Sequence, residues 1–438
     1  MKKLFFQNAF WKGLVQLSAF GLNIQIARYF EAALSGYLFY LMSIYALLIL
    51  FFSLSLESGL IYFGVKKEIE FNRLIGLCLF VVMIAACCLI GYFMIQKPDS
   101  GEFVNPSLII FSAISFICGH LLYSFGSAFF NAVKNFVWPH LIAFAINLFL
   151  IVLLMIKWIV GNEYFSDEQF FMIYFGSFLL LGLLTIILFI RFQKIDYKPQ
   201  LPNAAQFLKI VKYCALAWTG NIIFFLLYRL DYFFVEKLCS AQDLGNYIQV
   251  SKIGQLFFVF PSVMATVIFP LSASQPKEKM IEWVMTLSRV IFLFYIVICL
   301  FAVFTGKWLF PFVFGESFDN MYLPFVLLVP GILSLSSMFA LTAYNAGTYK
   351  LKTNIYGALW ALLLMVAGTF MMRNVYSIQV AAGISSVAYL GLMVYLLWQF
   401  KKDNGTSLRD FFIFQKQDFH NLKTINFKLK QKKYGAGQ

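Results

Sequence analysis

The chain has 438 residues, 61% of them hydrophobic and only 12% charged, and its mean hydropathy is +0.79. That balance excludes an ordinary soluble globular domain, in which about 25% of residues are charged. A formal net charge of +14 would suit a nucleic-acid binder, but here the basic residues punctuate apolar runs, and orientation in a membrane accounts for them without nucleic acid.

Twelve runs of mostly apolar residues recur between Asn8 and Phe400, separated by short, charge-bearing connections. A hydrocarbon core about 30 Å thick takes about 20 helical residues, and inside it every backbone amide needs a partner within its own helix, so each run is expected to cross once. In chain order the spans are 8–27, 37–63, 74–95, 107–133, 138–159, 169–191, 207–230, 246–271, 283–306, 322–346, 353–372 and 377–400. The first carries Lys12 and Gln16 and lacks a small-residue cleavage site, so it is read as a spanning helix and not as a signal peptide. Pro261 and Pro270 in span eight, and Pro330 with Gly331 in span ten, are expected bends. From Lys401 onward, Phe411, Phe412, Phe414, Phe419 and Phe427 alternate with Lys and Arg. Such a tail suits the surface of an anionic leaflet, or hangs free as positive charge.

Orientation follows from the basic residues, which cytoplasmic connections retain. With the amino terminus inside, one side collects Lys2, Lys3, Lys66, Lys67, Arg73, Lys134, Arg191, Lys194, Lys198, Lys209, Lys212, Lys277, Lys279, Lys350, Lys352 and the tail. The other holds Arg28, Lys97, Lys157, Arg229, Lys237, Lys307 and Arg373, with acids such as Asp99, Glu102, Glu163, Asp167 and Glu168. Both termini are therefore expected in the cytoplasm, and the chain in the cell (inner) membrane of a bacterium.

An internal repeat divides the spans into two sets of six. Phe129-Phe130-Asn131-Ala132 closes span four as Ala343-Tyr344-Asn345-Ala346 closes span ten. Ser35-Gly36-Tyr37 opens span two as Leu244-Gly245-Asn246-Tyr247 opens span eight, and Arg28 and Arg229 end spans one and seven. Because six is even, this is a parallel duplication about an axis along the membrane normal. The expected fold class is all-α, a polytopic integral membrane protein of about twelve transmembrane helices in two six-helix lobes. The lobes are 1–195 and 207–400, with a linker at 196–206 containing Pro199 and Pro202, and a basic cytoplasmic tail at 401–438. The site is expected in a cleft between the lobes.

Cys78, Cys87, Cys88, Cys118, Cys214 and Cys299 lie in spans and Cys239 in a loop, without a Cys-x-x-Cys, so they read as packing residues. His120, His140 and His420 are dispersed and offer no metal spacing.

The segments IARYFEAALSGYLFYLMSIYALLILFF (Ile26 to Phe52) and YRLDYFFVEKLCSAQDLGNYIQVSKI (Tyr228 to Ile253), with the helix-ending asparagines, resemble the polysaccharide-transporting flippases (Wzx-like, O-antigen or capsule) of the MATE-like superfamily. The resemblance covers nearly the whole chain. It implies two lobes around a cationic cavity and a cargo of undecaprenyl-diphosphate-linked oligosaccharide moved from the cytoplasmic to the outer leaflet. Alternating access without covalent chemistry would serve, so the chain is expected to be a transporter and not an enzyme. Glycan polymerase or glycosyltransferases are the protein partners it implies, beside membrane lipids.

Moving a diphosphate and several sugars through hydrocarbon unaided would cost tens of kcal/mol in lost hydration, and charges inside a membrane are functional candidates by default. Lys252, with Gln249 and Gln255 near the same helical face, is the first candidate for the cleft; its bland alternative is snorkelling to the headgroups. Arg28 and Arg229 would guard the outer mouth, or anchor at the interface, Arg229 being neutralised by Asp231 in a further alternative. Lys12, Lys209 and Lys212 would form a basic cytoplasmic vestibule, or serve positive-inside anchoring. Asn23 and Asn221, with Gln25 and Asn147, would bond sugar hydroxyls or neighbouring helices. Glu57 and Asp231 are candidates for coupling to a gradient of protons or sodium ions, Glu57 pairing with one of the lysines as the alternative; no other cofactor is expected.

Two competing readings are a cation-coupled drug or small-molecule exporter of the same fold, which would want an acid-lined cavity, and a lipid II flippase, which would tend to carry further helices. A membrane glycosyltransferase, polymerase or ligase would usually expose a large outer loop, which this chain lacks.

Overall fold

The computed structural model describes residues 2–96, 105–196, 198, 200–272, 275–406, 411–413, 415 and 418, and not the side chains of 2–6, 8, 9, 267 and 270. Lys97, Asp99, Glu102, Pro199, the Pro270 side chain and most of the tail, including Phe414, Phe419, His420 and Phe427, lie outside the described residues. The described residues are helical, without a strand: α1 (Lys2–Ser53), α2 (Leu56–Lys66), α3 (Phe71–Ile95), α4 (Pro106–Ala132), α5 (Val137–Val160), α6 (Asp167–Phe192), α7 (Ala204–Leu238), α8 (Ala241–Leu256), α9 (Val259–Ser272), α10 (Lys277–Phe314), α11 (Tyr322–Gly347), α12 (Leu351–Met372) and α13 (Ile378–Asn404).

Among them are 11 helical stretches long and apolar enough to cross a membrane. The first, Phe10–Ser53, has 44 residues, about 66 Å of helix and twice what a bilayer needs. Glu31, at φ 57 and ψ −177, breaks it into two lengths, each sufficient for one crossing. The stretches therefore accommodate the twelve expected spans.

Two spans expected as single helices are broken. Span two breaks at Leu54 and Ser55, both left-handed (φ 47 and 54), so that α2 starts afresh there. The break is bonded to α7: the Trp218 indole donates to the Leu50 carbonyl at 2.9 Å, and the Asn221 amide donates to the Ser55 hydroxyl at 3.0 Å. Span eight breaks at Phe257–Phe258, between α8 and α9, because Pro261 has no N–H for the carbonyl of Phe257. Pro330, by contrast, lies inside a continuous α11. There the Ser386 hydroxyl enters the ladder, donating to the Leu327 carbonyl at 2.5 Å and accepting from Gly331 N at 3.2 Å, an inserted side chain of the kind that bends a helix.

The described chain folds as two compact units: residues 2–30 with 38–222, and residues 31–37 with the described residues from 223 on. The divide falls inside α7. In the N-terminal unit α4 and α6 touch backbone to backbone, since a Cβ on Gly119 would stand 2.3 Å from the Phe178 carbonyl, and one on Gly182 2.4 Å from the Gly119 oxygen. Small residues at such contacts let helices gain dispersion energy in lipid, where no hydrophobic force drives them together. Phe125, Phe129, Phe130 and Phe189 fill the space beside them, fully buried.

In the C-terminal unit α11 is the central helix, packed by α9, α10 and α13. The segment Glu31–Tyr37 belongs to this unit. Ala32 N donates to Ser317 Oγ at 3.1 Å, and a Cβ on Gly245 would stand 1.9 Å from the Ala32 carbonyl oxygen. The far side of α10 also takes up part of the tail: Asp418, fully buried, accepts from Thr286 Oγ1 at 2.8 Å and from the Arg289 guanidinium at 2.5 Å, while Phe412 packs on Phe292.

Candidate functional site

The strongest concentration of charge among apolar helices lies in the C-terminal unit, where α7 and α8 face each other. Arg229 on α7 donates to Tyr232 Oη at 2.6 Å, one turn along its own helix, and to Gln255 Oε1 on α8 at 3.0 Å. Its guanidinium also lies over the Tyr232 ring, 4.9 Å from the centroid. Lys252, one turn before Gln255 and partly exposed, is within electrostatic range of the same guanidinium. Arg229 is thus held by two neutral acceptors, and a second cation, Lys252, stands within its electrostatic range.

Asp231 sits next to this pair in sequence but serves a different purpose. It is 3% exposed; Oδ2 accepts from Tyr247 Oη at 2.6 Å and Ser385 Oγ at 3.0 Å, and Oδ1 accepts from Tyr232 N. Asp231 makes no direct ion pair with Arg229, although it stands within its electrostatic range; the carboxylate is turned to hydroxyls on α8 and α13. Nothing in the sequence marks the Tyr247 and Ser385 hydroxyls as partners of Asp231, since they are two among many; the i, i+3 spacing of Arg229 and Tyr232 is a usable signal.

The remaining candidates are dispersed over the N-terminal unit. Arg28, Lys12 and Lys212 are exposed. Lys209 pairs with Glu68 at 2.5 Å and lies over Phe63. The partner is therefore Glu68, and the lysine pairing considered for Glu57 does not form with Lys209. That bond draws the Glu68 carboxyl below its usual range. Asn23 is 8% exposed. Asn221 is joined to the break in span two through Ser55, and Asn147 donates to Ser18 Oγ at 3.0 Å. Both thus make the helix-to-helix bonds that were the alternative to sugar binding.

Glu57 occupies the first turn of α2, just after the break. Its Oε2 is buried and has no hydrogen-bond partner among the described residues, and the thiols of Cys78 on α3 and Cys214 on α7 stand within its electrostatic reach. A carboxylate in that setting gains by taking up a cation or a proton.

Comparison with known proteins shows what the chain is similar to. Residues 175–323 match a sequence family described as "Polysaccharide biosynthesis protein". No curated protein matches. Among solved structures, the lipid II flippase MurJ in an inward closed conformation superposes with a TM-score of 0.60 at 13% identity, over 96% of each chain. The Vibrio cholerae MATE transporter VcmN gives 0.62 at 12% identity, over 93% of this chain and 98% of that one. A MOP superfamily transporter from Pyrococcus furiosus, described as having a binding pocket of reverse polarity, gives 0.59 at 13% identity, over 91% and 94%. The chain is a multi-pass membrane protein with the fold of the MATE-like (MOP) transporters, and its resemblance to the polysaccharide-transporting flippases is borne out.

Proposed function

We propose that this transporter moves an undecaprenyl-diphosphate-linked oligosaccharide, a repeat unit of O-antigen, capsule or exopolysaccharide, from the cytoplasmic to the outer leaflet of the bacterial inner membrane. The observation that carries the reading is that Arg229 on α7, held by Tyr232 and Gln255, and Lys252 on α8 stand within electrostatic range of one another. Charges in a bilayer are costly when uncompensated. A diphosphate would offset both, and the planar Arg229 fork suits it. The glycan and a polymerase or glycosyltransferase are the partners this reading implies, with both termini in the cytoplasm.

Alternating access would be coupled to an ion gradient at Glu57, whose Oε2 has no partner, in preference to Asp231, whose two oxygens already accept three hydrogen bonds. A drug exporter needs anionic groups facing its cationic cargo, and Arg229 and Lys252 are of the wrong sign for it.

The test places the purified protein in liposomes with an undecaprenyl-diphosphate oligosaccharide in one leaflet and follows its arrival in the other. Wild type is expected to accelerate transfer, and Lys252→Ala to slow it at least tenfold, as loss of a charge-assisted contact of about 1.5–3 kcal/mol would. If wild type moves no such lipid under a proton or sodium gradient yet exports small organic cations, the exporter reading replaces this one.

A further inference from the structure

At the lysine-rich end of the N-terminal unit, the ends of α4, α5 and α6 enclose a cavity of about 240 Å³ lined by Phe130, Trp138, Leu188, Arg191 and Phe192. Four of its lining residues are aromatic or aliphatic and the fifth is Arg191. Phe130 is fully buried, whereas Trp138 and Phe192 are 38% and 53% exposed, so the cavity opens on the outside of the helices. Two further cations flank it. Lys134, in the turn between α4 and α5, and Lys194, just after α6, are both exposed and both held in the left-handed region (φ 60 and 50). The nearest acid along the chain, Asp196, lies 3.5 Å from Lys198. Among the described residues no ion pair involves Arg191.

We propose that this cavity binds an anionic glycerophospholipid by its headgroup phosphate and first acyl methylenes. Its volume is below the 300–1,000 Å³ that encloses a whole small ligand, which suits a molecule whose remainder stays in the bilayer. A phosphodiester joined to methylene chains is the chemistry matched by an arginine beside aromatic and leucine side chains. Tryptophan and arginine at a helix end occupy the depth at which headgroups lie, and basic pockets between helix ends select anionic lipids. This site is independent of the transported cargo and of the residues on α7 and α8.

The full chain in phosphatidylcholine nanodiscs, doped with equal small fractions of either brominated phosphatidylglycerol or brominated phosphatidylcholine, provides the test. The readout is quenching of Trp138, taken as the difference between wild type and Trp138→Phe. The anionic lipid is expected to quench several-fold more than the neutral one, and Arg191→Gln to reduce that preference about fivefold, the worth of one basic side chain near an anionic surface. Lys134→Asn, on an exposed turn that tolerates the left-handed conformation, should lower it by a smaller factor and serves if Arg191→Gln does not fold. Equal quenching by the two lipids overturns the proposal, as does a preference unchanged in both variants. Loss of the preference when inorganic phosphate is added at constant ionic strength also overturns it, by revealing a site for free anions.

Discussion

Arg229 bonds two partners on two helices, and only a guanidinium has the fork to do so at the observed distances of 2.6 and 3.0 Å. Arg229→Lys preserves charge but loses one of the two bonds, so lipid-linked diphosphate transfer is expected to fall about tenfold, with Arg229→Gln lower still; transfer by Arg229→Lys equal to wild type would reduce the residue to a bulk charge. A second residue-scale expectation concerns Cys239, between α7 and α8, where burial and then Asp243 push the thiol up to about 11. An ordinary thiol titrates near 8.5, so its maleimide labelling levels off above that pH. The Cys239 rate should instead keep rising about tenfold per unit from pH 7 to 10, measured in a variant lacking the other cysteines. At this scale the sequence displayed the charges well, because Arg229, Asp231 and Lys252 stand out in apolar runs. It concealed which were already compensated. Asp231 is satisfied by Tyr247 and Ser385, 16 and 154 residues away, and such distant hydroxyls leave no periodic trace.

Helices fail or hold here at a few contacts between backbones. A Cβ on Gly245 would stand 1.9 Å from the Ala32 oxygen, whereas one on Gly220 would meet nothing within 4 Å. Gly245→Ala should therefore cost more than the roughly 1–3 kcal/mol of ordinary overpacking, and Gly220→Ala should be neutral or mildly stabilising through helix propensity; thermal unfolding in detergent, followed by size-exclusion chromatography, separates the two. The tail makes a comparable demand on α10. Removing one member of the buried Arg289–Asp418 pair, as in Asp418→Asn, is expected to destabilise by about 3–5 kcal/mol, whereas the double apolar replacement Arg289→Met with Asp418→Leu should recover most of it. An unaltered unfolding temperature for Asp418→Asn would show the tail segment to be dispensable. Apolar length made the crossings legible to within about eight residues at each end, and Pro261 announced the break between α8 and α9. The break at Leu54–Ser55 had no such herald: no proline or glycine marks it, and it persists because Trp218 and Asn221, far along the chain, bond to it.

For the whole molecule, the decisive quantity is the parity of crossings. The repeat of six spans, the basic residues on alternate connections and the break at Glu31 are three independent observations, and they agree only if α1 crosses twice. A single crossing by the 44-residue stretch would leave some 30 Å of apolar helix in water. It would also move Lys66, Lys67, Arg73 and every later basic connection to the side opposite the amino terminus, against the charge rule. With the amino terminus inside, as the charge rule leads one to expect, two crossings would put the α5–α6 connection outside and the α11–α12 turn inside. In a cysteine-free chain, Glu163→Cys is thus expected to react with a membrane-impermeant maleimide in intact cells, and Lys350→Cys only after permeabilisation. Reversal of both labels would overturn the assigned orientation, while labelling of both from the same side would overturn the parity. Orientation bears directly on the transport reading. A flippase that loads an anionic headgroup in the cytoplasm needs its exposed lysines there, where Lys12 and Lys212 can raise the local concentration of phosphate by long-range attraction. With the labels reversed, those lysines would face the outer leaflet and favour retention of the headgroup that the protein has to release.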